Sequence, residues 1–184
     1  MKATETHLKD CFTLEPTVFK DNRGYFFESY NQKKFEELTG LNVTFIQDNQ
    51  ASSTFGVVRG LHIQRPPFCQ AKLLRVLQGK IIDVAVDLRK DSSTYGKSVA
   101  VELSDENHKQ LFIPRGFVHG YSVLSETALI AYKCDNLYNR ESEDAVFPFD
   151  ETLNIDWGVS LSEAVLSEKD QNAKSFKDFV PVEL

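Results

Sequence analysis

The chain has 184 residues, 41% of them hydrophobic and 26% charged, with a formal net charge of −6. That length predicts one domain over residues 1–184, large enough to bury roughly 70% of the surface its unfolded chain exposes. The acidic balance excludes a general nucleic-acid binder, which needs a basic surface, but leaves room for one local cationic pocket for a small anion.

Short strands and one helix make up the first part of the chain. "NQKKFEELTG" opens on Asn31, a good N-cap, places Phe35 and Leu38 on one face and stops at Gly40, so a helix is predicted there. "NVTFIQDN" reads as a strand running into polar residues. Next comes "RGLHIQ", Arg59 to Gln64, in which Val57, Val58, Leu61 and Ile63 are interrupted by an arginine and a histidine of opposite parity. A regular strand sends those two to opposite faces; Gly60 between them signals a bulge or a close backbone approach, and a bulge lets both face one cavity.

"AKLLRVL" and "KIIDVAVDLR" meet across Gln78-Gly79, which predicts a hairpin. "KSVAVEL", "KQLFI", "GYSVL" and "ALIAYK" follow with turn residues between them, a spacing that predicts a sandwich or barrel. The final stretch loses strand periodicity, and "SEKD" with Ser167 as N-cap predicts a short closing helix. Cys11, Cys69 and Cys134 are far apart and odd in number, so neither a zinc knuckle nor a disulfide framework is indicated. Free thiols suit a reducing compartment, and the N-terminus lacks a signal-like apolar segment; a cytoplasmic protein without a membrane span is expected.

Several polar side chains fall on strand faces that should point inward. Lys72 shares its face with Leu74 and Val76, and Tyr132 with Ala128 and Ile130, while Lys133 takes the other face. His119 follows the turn in "PRGFVHG". Each has an ordinary structural explanation alone, since lysines snorkel and tyrosines pack in cores. A barrel interior holding His62, Lys72, His119 and Tyr132 together is a polar pocket without structural purpose. A metal is poorly served, because Gln64 stands where the second ligand of a His-x-His pair is expected and a lysine, not a glutamate, lies ahead. No nucleophile elbow, Walker loop or dinucleotide fingerprint occurs. General acid–base chemistry remains: a histidine base, a tyrosine acid and a lysine for an oxyanion suit proton abstraction beside a carbonyl.

The chain resembles the dTDP-4-dehydrorhamnose 3,5-epimerase family over nearly its whole length. The resemblance rests on collinear blocks: "FKDNRGYFFESY", "FIQDNQASS", "GVVRGLHIQ", "QAKLLRVLQGKIIDVAVDLR", "STYG", "LFIPRGFVHGYSVLS", "YKCDNLY" and "LSEKD". It implies an all-β, cupin-type jelly roll with a few short peripheral helices, usually homodimeric, with neither metal nor organic cofactor and a nucleotide sugar as its small-molecule partner. It also implies roles: His62 as base with Asp170 as its carboxylate, Tyr132 as proton donor, and Lys72 facing the sugar carbonyl. Arg59 and His119 would hold diphosphate or sugar oxygens. Arg23, Glu28, Gln47, Asn49, Glu143 and Lys169 fall at nucleotide-sugar positions, Tyr138 would stack on the thymine, and Phe26 would help form the nucleotide pocket at a dimer interface. Asp83 has inward parity, with a salt bridge as its alternative role. The chain departs from the family pattern at Ile63, where an aromatic is common, and in the segment from Asn139 through Ala-Val-Phe-Pro. Two other readings stay open at this point: an epimerase acting at C3 alone, and a non-catalytic nucleotide-sugar-binding jelly roll.

Overall fold

The computed structural model describes residues 1–184. Two antiparallel sheets face each other. One has six strands in the order β1 (Lys2–Glu5), β2 (Phe12–Glu15), β10 (Gln110–Ile113), β7 (Lys72–Gln78), β12 (Thr127–Cys134) and β5 (Gln47–Thr54). The other has five: β13 (Glu143–Ala145), β6 (Val58–Gln64), β11 (Phe117–Val123), β8 (Lys80–Asp87) and β9 (Ser98–Ser104). From β5 onward the chain passes from one sheet to the other at almost every connection, the exception being β8 to β9. That winding is the jelly roll, and the resemblance's fold expectation holds.

The core follows from alternation. Leu74, Val76, Ile81, Ala85, Leu103, Ile113, Tyr121 and Ile130 fill the space between the sheets. Val58, Leu61, Ile63, Val84, Val86 and Val118 point the other way, off the outer face of the five-stranded sheet, where Trp157, Phe179 and Val182 from the C-terminal segment cover them. A helix, α1 (Gln32–Thr39), packs Phe35 on Phe12 and Phe112 outside the six-stranded sheet. Its ends are those expected: the Asn31 side chain accepts the Lys34 N–H, and Gly40 sits at φ 72°. Leu38, expected beside Phe35, is instead 41% exposed. The closing helix α2 (Glu168–Gln171) is also present, with Ser167 capping the Asp170 N–H. Neither helix is long and apolar enough to cross a membrane, and the three cysteines are free and buried.

Two sequence expectations fail for identifiable reasons. The predicted hairpin at Gln78-Gly79 does not form, because β7 and β8 lie in different sheets. Gly79, at φ 85°, turns the chain through the corner between them. Its N–H is taken by Asp105, and the next N–H by the Ser125 hydroxyl, so neither needs a cross-strand partner. The strand expected in "NVTFIQDN" starts only at Gln47 and runs to Thr54, through residues that are almost all polar. Its burial still alternates, with Gln47, Asn49, Ala51 and Ser53 turned inward.

The irregularity in β6 is real. His62 lies opposite His119 and Arg59 opposite Tyr121, so Gly60 and Leu61 together face the single residue Gly120. This extra residue is a β-bulge, and it shifts the parity of the strand. Arg59, His62 and Gln64 therefore point inward while Val58, Leu61 and Ile63 point out. The Gly60–Leu61 peptide is cis. Gly60 sits at φ 132°, and a Cβ there would lie 2.5 Å from the Gly120 Cα and 2.9 Å from the His119 carbonyl oxygen. Only hydrogen fits. Gly60→Ala is accordingly expected to destabilise the fold by at least about 2 kcal/mol in urea unfolding, from strain and overpacking together. A change within about 0.5 kcal/mol, the range of an ordinary surface substitution, would contradict the close approach.

Candidate active site

Between the sheets, where the apolar core ends, lies a cavity of about 290 Å³. The six-stranded sheet contributes Gln47, Asn49, Lys72 and Tyr132; the five-stranded sheet contributes His62, Gln64 and Glu143; Tyr138 stands at the rim. The polar strand β5 now has its explanation, since its inward residues line a polar cavity rather than a core.

His62 is held by a carboxylate distant in sequence. Val165 bridges to Val57 just before β6, through Val58 N–H to the Val165 carbonyl at 3.1 Å and Val165 N–H to Gly56 at 2.8 Å. This fastens the C-terminal segment beside the strand and delivers α2, so that Asp170 reaches His62 with Oδ1 2.5 Å from Nε2. Burial by itself would raise the Asp170 carboxyl, but the His62 hydrogen bond and charge, the Ser167 hydroxyl and the Gly60 N–H hold it below the usual carboxylate value. An ionised Asp170 accepts, so in the neutral imidazole Nε2 carries the proton and Nδ1 holds the lone pair.

A second histidine–carboxylate pair stands beside the first. His119, the ladder partner of His62, meets Asp83 Oδ1 at 2.7 Å, and both residues are buried. Asp83 is thus held by a hydrogen bond to the His119 ring, and its Oδ2 has no partner. Burial pushes the His119 imidazole down against the pull of Asp83, with the Lys72 and His62 charges pushing the same way.

Lys72 and Tyr132 are shifted in opposite senses by one cause. Desolvation lowers the Lys72 ammonium, partly offset by Cys134, Asp83 and Glu143, and raises the Tyr132 phenol, which keeps its proton. At the rim, Lys169 and Glu143 pair at 2.5 Å and the Tyr138 hydroxyl donates to Glu143 at 3.1 Å. Arg59 is exposed, and its one polar contact is a long one, 3.5 Å to the Ser52 carbonyl. An unpaired cation suits an anionic ligand.

The structure therefore gathers His62, Asp170, Lys72, Tyr132, Gln47, Asn49, Tyr138, Glu143 and Lys169 around one cavity, with the His119–Asp83 pair beside it. Arg59 is not among the residues that line it, and three further expected residues are not brought there within the chain. Arg23 and Phe26 ride on the exposed ribbon of β3 (Phe19–Asp21) and β4 (Gly24–Phe26), Arg23 tied to Asp21 at 2.7 Å and Phe26 70% exposed. Glu28 is occupied by Lys34 and Asn31. Conversely, Gln64 and Gln70 line the cavity without having been assigned a part. Gln64 stands two residues from His62 in β6, so strand parity was its signal; Gln70 lies outside the strands, before β7, and no local pattern marks it. No three His, Cys, Asp or Glu side chains converge as metal ligands do.

Comparison with known proteins sets this cavity in context. The family model described as dTDP-4-dehydrorhamnose 3,5-epimerase matches residues 5–178. A curated dTDP-4-dehydrorhamnose 3,5-epimerase of Salmonella typhimurium is 51% identical over 174 residues, 94% of each chain. The crystal structure of the enzyme of that name from Elizabethkingia anophelis is 58% identical, covers 97% of both chains and superposes with a TM-score of 0.93. A dTDP-6-deoxy-D-glucose-3,5-epimerase from Legionella pneumophila, solved in complex with dTDP-4-keto-L-rhamnose, is 41% identical, covers 100% of this chain and 98% of the other, and has a TM-score of 0.94.

Proposed function

The chain belongs to the dTDP-4-dehydrorhamnose 3,5-epimerase family, and we propose that it inverts C3 and C5 of dTDP-4-dehydro-6-deoxyglucose by proton transfers between His62 and Tyr132. The observation that carries this reading is the His62–Asp170 contact facing a protonated Tyr132 across a cavity that also holds Lys72.

The chemistry follows from the ketone at C4, which acidifies the hydrogens on both neighbouring carbons. His62 Nδ1 removes the proton from one of them, and the C–H electron pair moves into the ring as an enolate with its charge on O4. Lys72 stabilises that charge through its ammonium, in a site where burial strengthens the interaction. Tyr132 then protonates the same carbon from the opposite face, O4 returns to a ketone, and the centre is inverted. His62 and Tyr132 exchange their protons with solvent before the second carbon is treated in the same way. Asp170 holds the imidazole in the productive tautomer and stabilises the imidazolium while it exists. The residues at hand supply every proton the reaction moves.

Binding divides along the cavity. Arg59 takes the diphosphate, His119 a sugar oxygen, and Tyr138 stacks on the thymine, with Gln47, Asn49, Glu143 and Lys169 arranged around the nucleotide. Arg23, Phe26 and Glu28 act in a homodimer, where the exposed ribbon of one protomer closes the nucleotide pocket of its partner. Support for that arrangement is the ribbon itself, with Phe19 63%, Tyr25 58% and Phe26 70% exposed, beside an open groove on the outer face of the six-stranded sheet. Residues 1–184 act as a single jelly-roll domain.

His62→Ala should leave the protein folded and able to bind dTDP while lowering turnover by ~10²–10⁴-fold, the usual worth of a general base. Tyr132→Phe should lose a comparable factor with little change in packing. A loss below tenfold in either variant would remove that residue from its role. The same preparation should sediment as a dimer, and a monomer at micromolar concentration would overturn the part given to the ribbon while leaving the proton chemistry standing.

A further inference from the structure

Gln64 is the one inward residue of the bulged strand that the reaction does not use. It is 5% exposed, lies two residues beyond His62 and pairs with Glu143 in the β6–β13 ladder. Its side-chain oxygen receives the Asn139 N–H at 2.8 Å. Only a carbonyl oxygen can match an N–H donor, so the amide's orientation is fixed by chemistry. Asn139 is itself a hub: its side chain accepts the Glu141 and Ser142 N–H groups at 2.9 and 3.1 Å and so caps the 3-10 turn Arg140–Ser142 that leads into Glu143. One residue earlier, the Tyr138 N–H is held by Gln47 at 3.1 Å.

The Tyr138 ring needs such anchors. It is 53% exposed and its hydroxyl reaches only Glu143. An exposed ring that must meet a ligand face loses affinity if it has to be ordered on binding, and gains it if the backbone already holds it in place. We propose that Gln64 is a positioning residue for nucleotide affinity: by fixing the Asn139 N–H it sets the Tyr138 ring in the geometry that receives the nucleotide. The inference rests on the stacking role proposed above for Tyr138. It gives the glutamine of "HIQ" a function distinct from that of the histidine beside it: His62 acts on the sugar, and Gln64 acts through the loop on the base.

The test is a double-mutant cycle of Gln64→Met and Tyr138→Ala, read by dTDP titration calorimetry and by steady-state kinetics with dTDP-4-dehydro-6-deoxyglucose. Gln64→Met should weaken dTDP binding and raise KM by roughly three- to tenfold, the range a single hydrogen bond supplies, with kcat within about threefold of the parent. In the Tyr138→Ala background the same change should add less than about twofold, because the residue it positions is gone. Equal losses in both backgrounds would mean that Gln64 meets the ligand directly and would overturn the inference, as would a larger fall in kcat or an unchanged affinity. Tyr138→Ala alone with normal dTDP affinity would overturn the stacking reading and this inference together, whereas a normal Tyr138 loss with an additive Gln64 loss would overturn the inference only. Should Gln64→Met fail to fold, Gln64→Asn, whose amide stops one methylene short of the Asn139 N–H, carries the same cycle.

Discussion

The close approach of Gly60 to Gly120 is the constraint on which the site depends. Two backbones meet there with no room for a Cβ, and one strand carries an extra residue against the other. Because side chains alternate along a strand, that single residue decides the face on which everything after it lies. Without it, Arg59 would stay inward while His62 and Gln64 turned into the apolar layer under Trp157, and Leu61 and Ile63 turned into the cavity. The bulge thus lets one short strand serve two opposed demands, an apolar outer face for the C-terminal segment and a polar inner face for chemistry. The C-terminal segment in turn seats on that outer face, bridges to Val57 and brings Asp170 to His62.

Burial then tunes the groups it has gathered. The same low-dielectric surroundings lower a lysine and raise a tyrosine, since each is pushed toward its neutral form. For Tyr132 this keeps the phenol protonated, as the proposed donor role needs. For Lys72 it strips water from the charge proposed to meet the enolate, while Cys134, Asp83 and Glu143 pull it back toward the charged form. Asp170 goes the other way: its hydrogen bonds outweigh burial and keep it ionised, as the role proposed for it beside His62 requires. Neighbouring acid and base groups thereby receive different protonation states from one cavity.

How much of this could be read in advance varied with the kind of signal. Alternation placed Lys72 and Tyr132 on the inward face correctly, because each sits in a strand whose other inward residues are apolar. Gly60 announced the bulge, and Asn31, Gly40 and Ser167 announced helix ends through backbone chemistry that is local in sequence. The start of β5 is hidden for the opposite reason: a strand lining a polar cavity has no hydrophobic period, so the apolar residues just before it carry the stronger strand signal. The turn at Gly79 misled because a tight glycine turn looks alike whether the strands it joins pair with each other or part into facing sheets. Which sheet a strand enters is decided by distant partners, here Asp105 and Ser125 for the turn's N–H groups. The His62–Asp170 contact spans 108 positions, and only the resemblance pointed to it beforehand.

The central claim is that a base and an acid on opposite sides of one ring act in turn at two carbons. Incubating the protein with dTDP-4-dehydro-6-deoxyglucose in D₂O, trapping the product by reduction and reading it by NMR tests this directly. Each inversion removes a carbon-bound proton and returns one that has equilibrated with solvent, so deuterium is expected at both C3 and C5. Full exchange at C3 with protium retained at C5 would contradict action at two centres, and no exchange above the ketone's own background would contradict the acid–base account altogether.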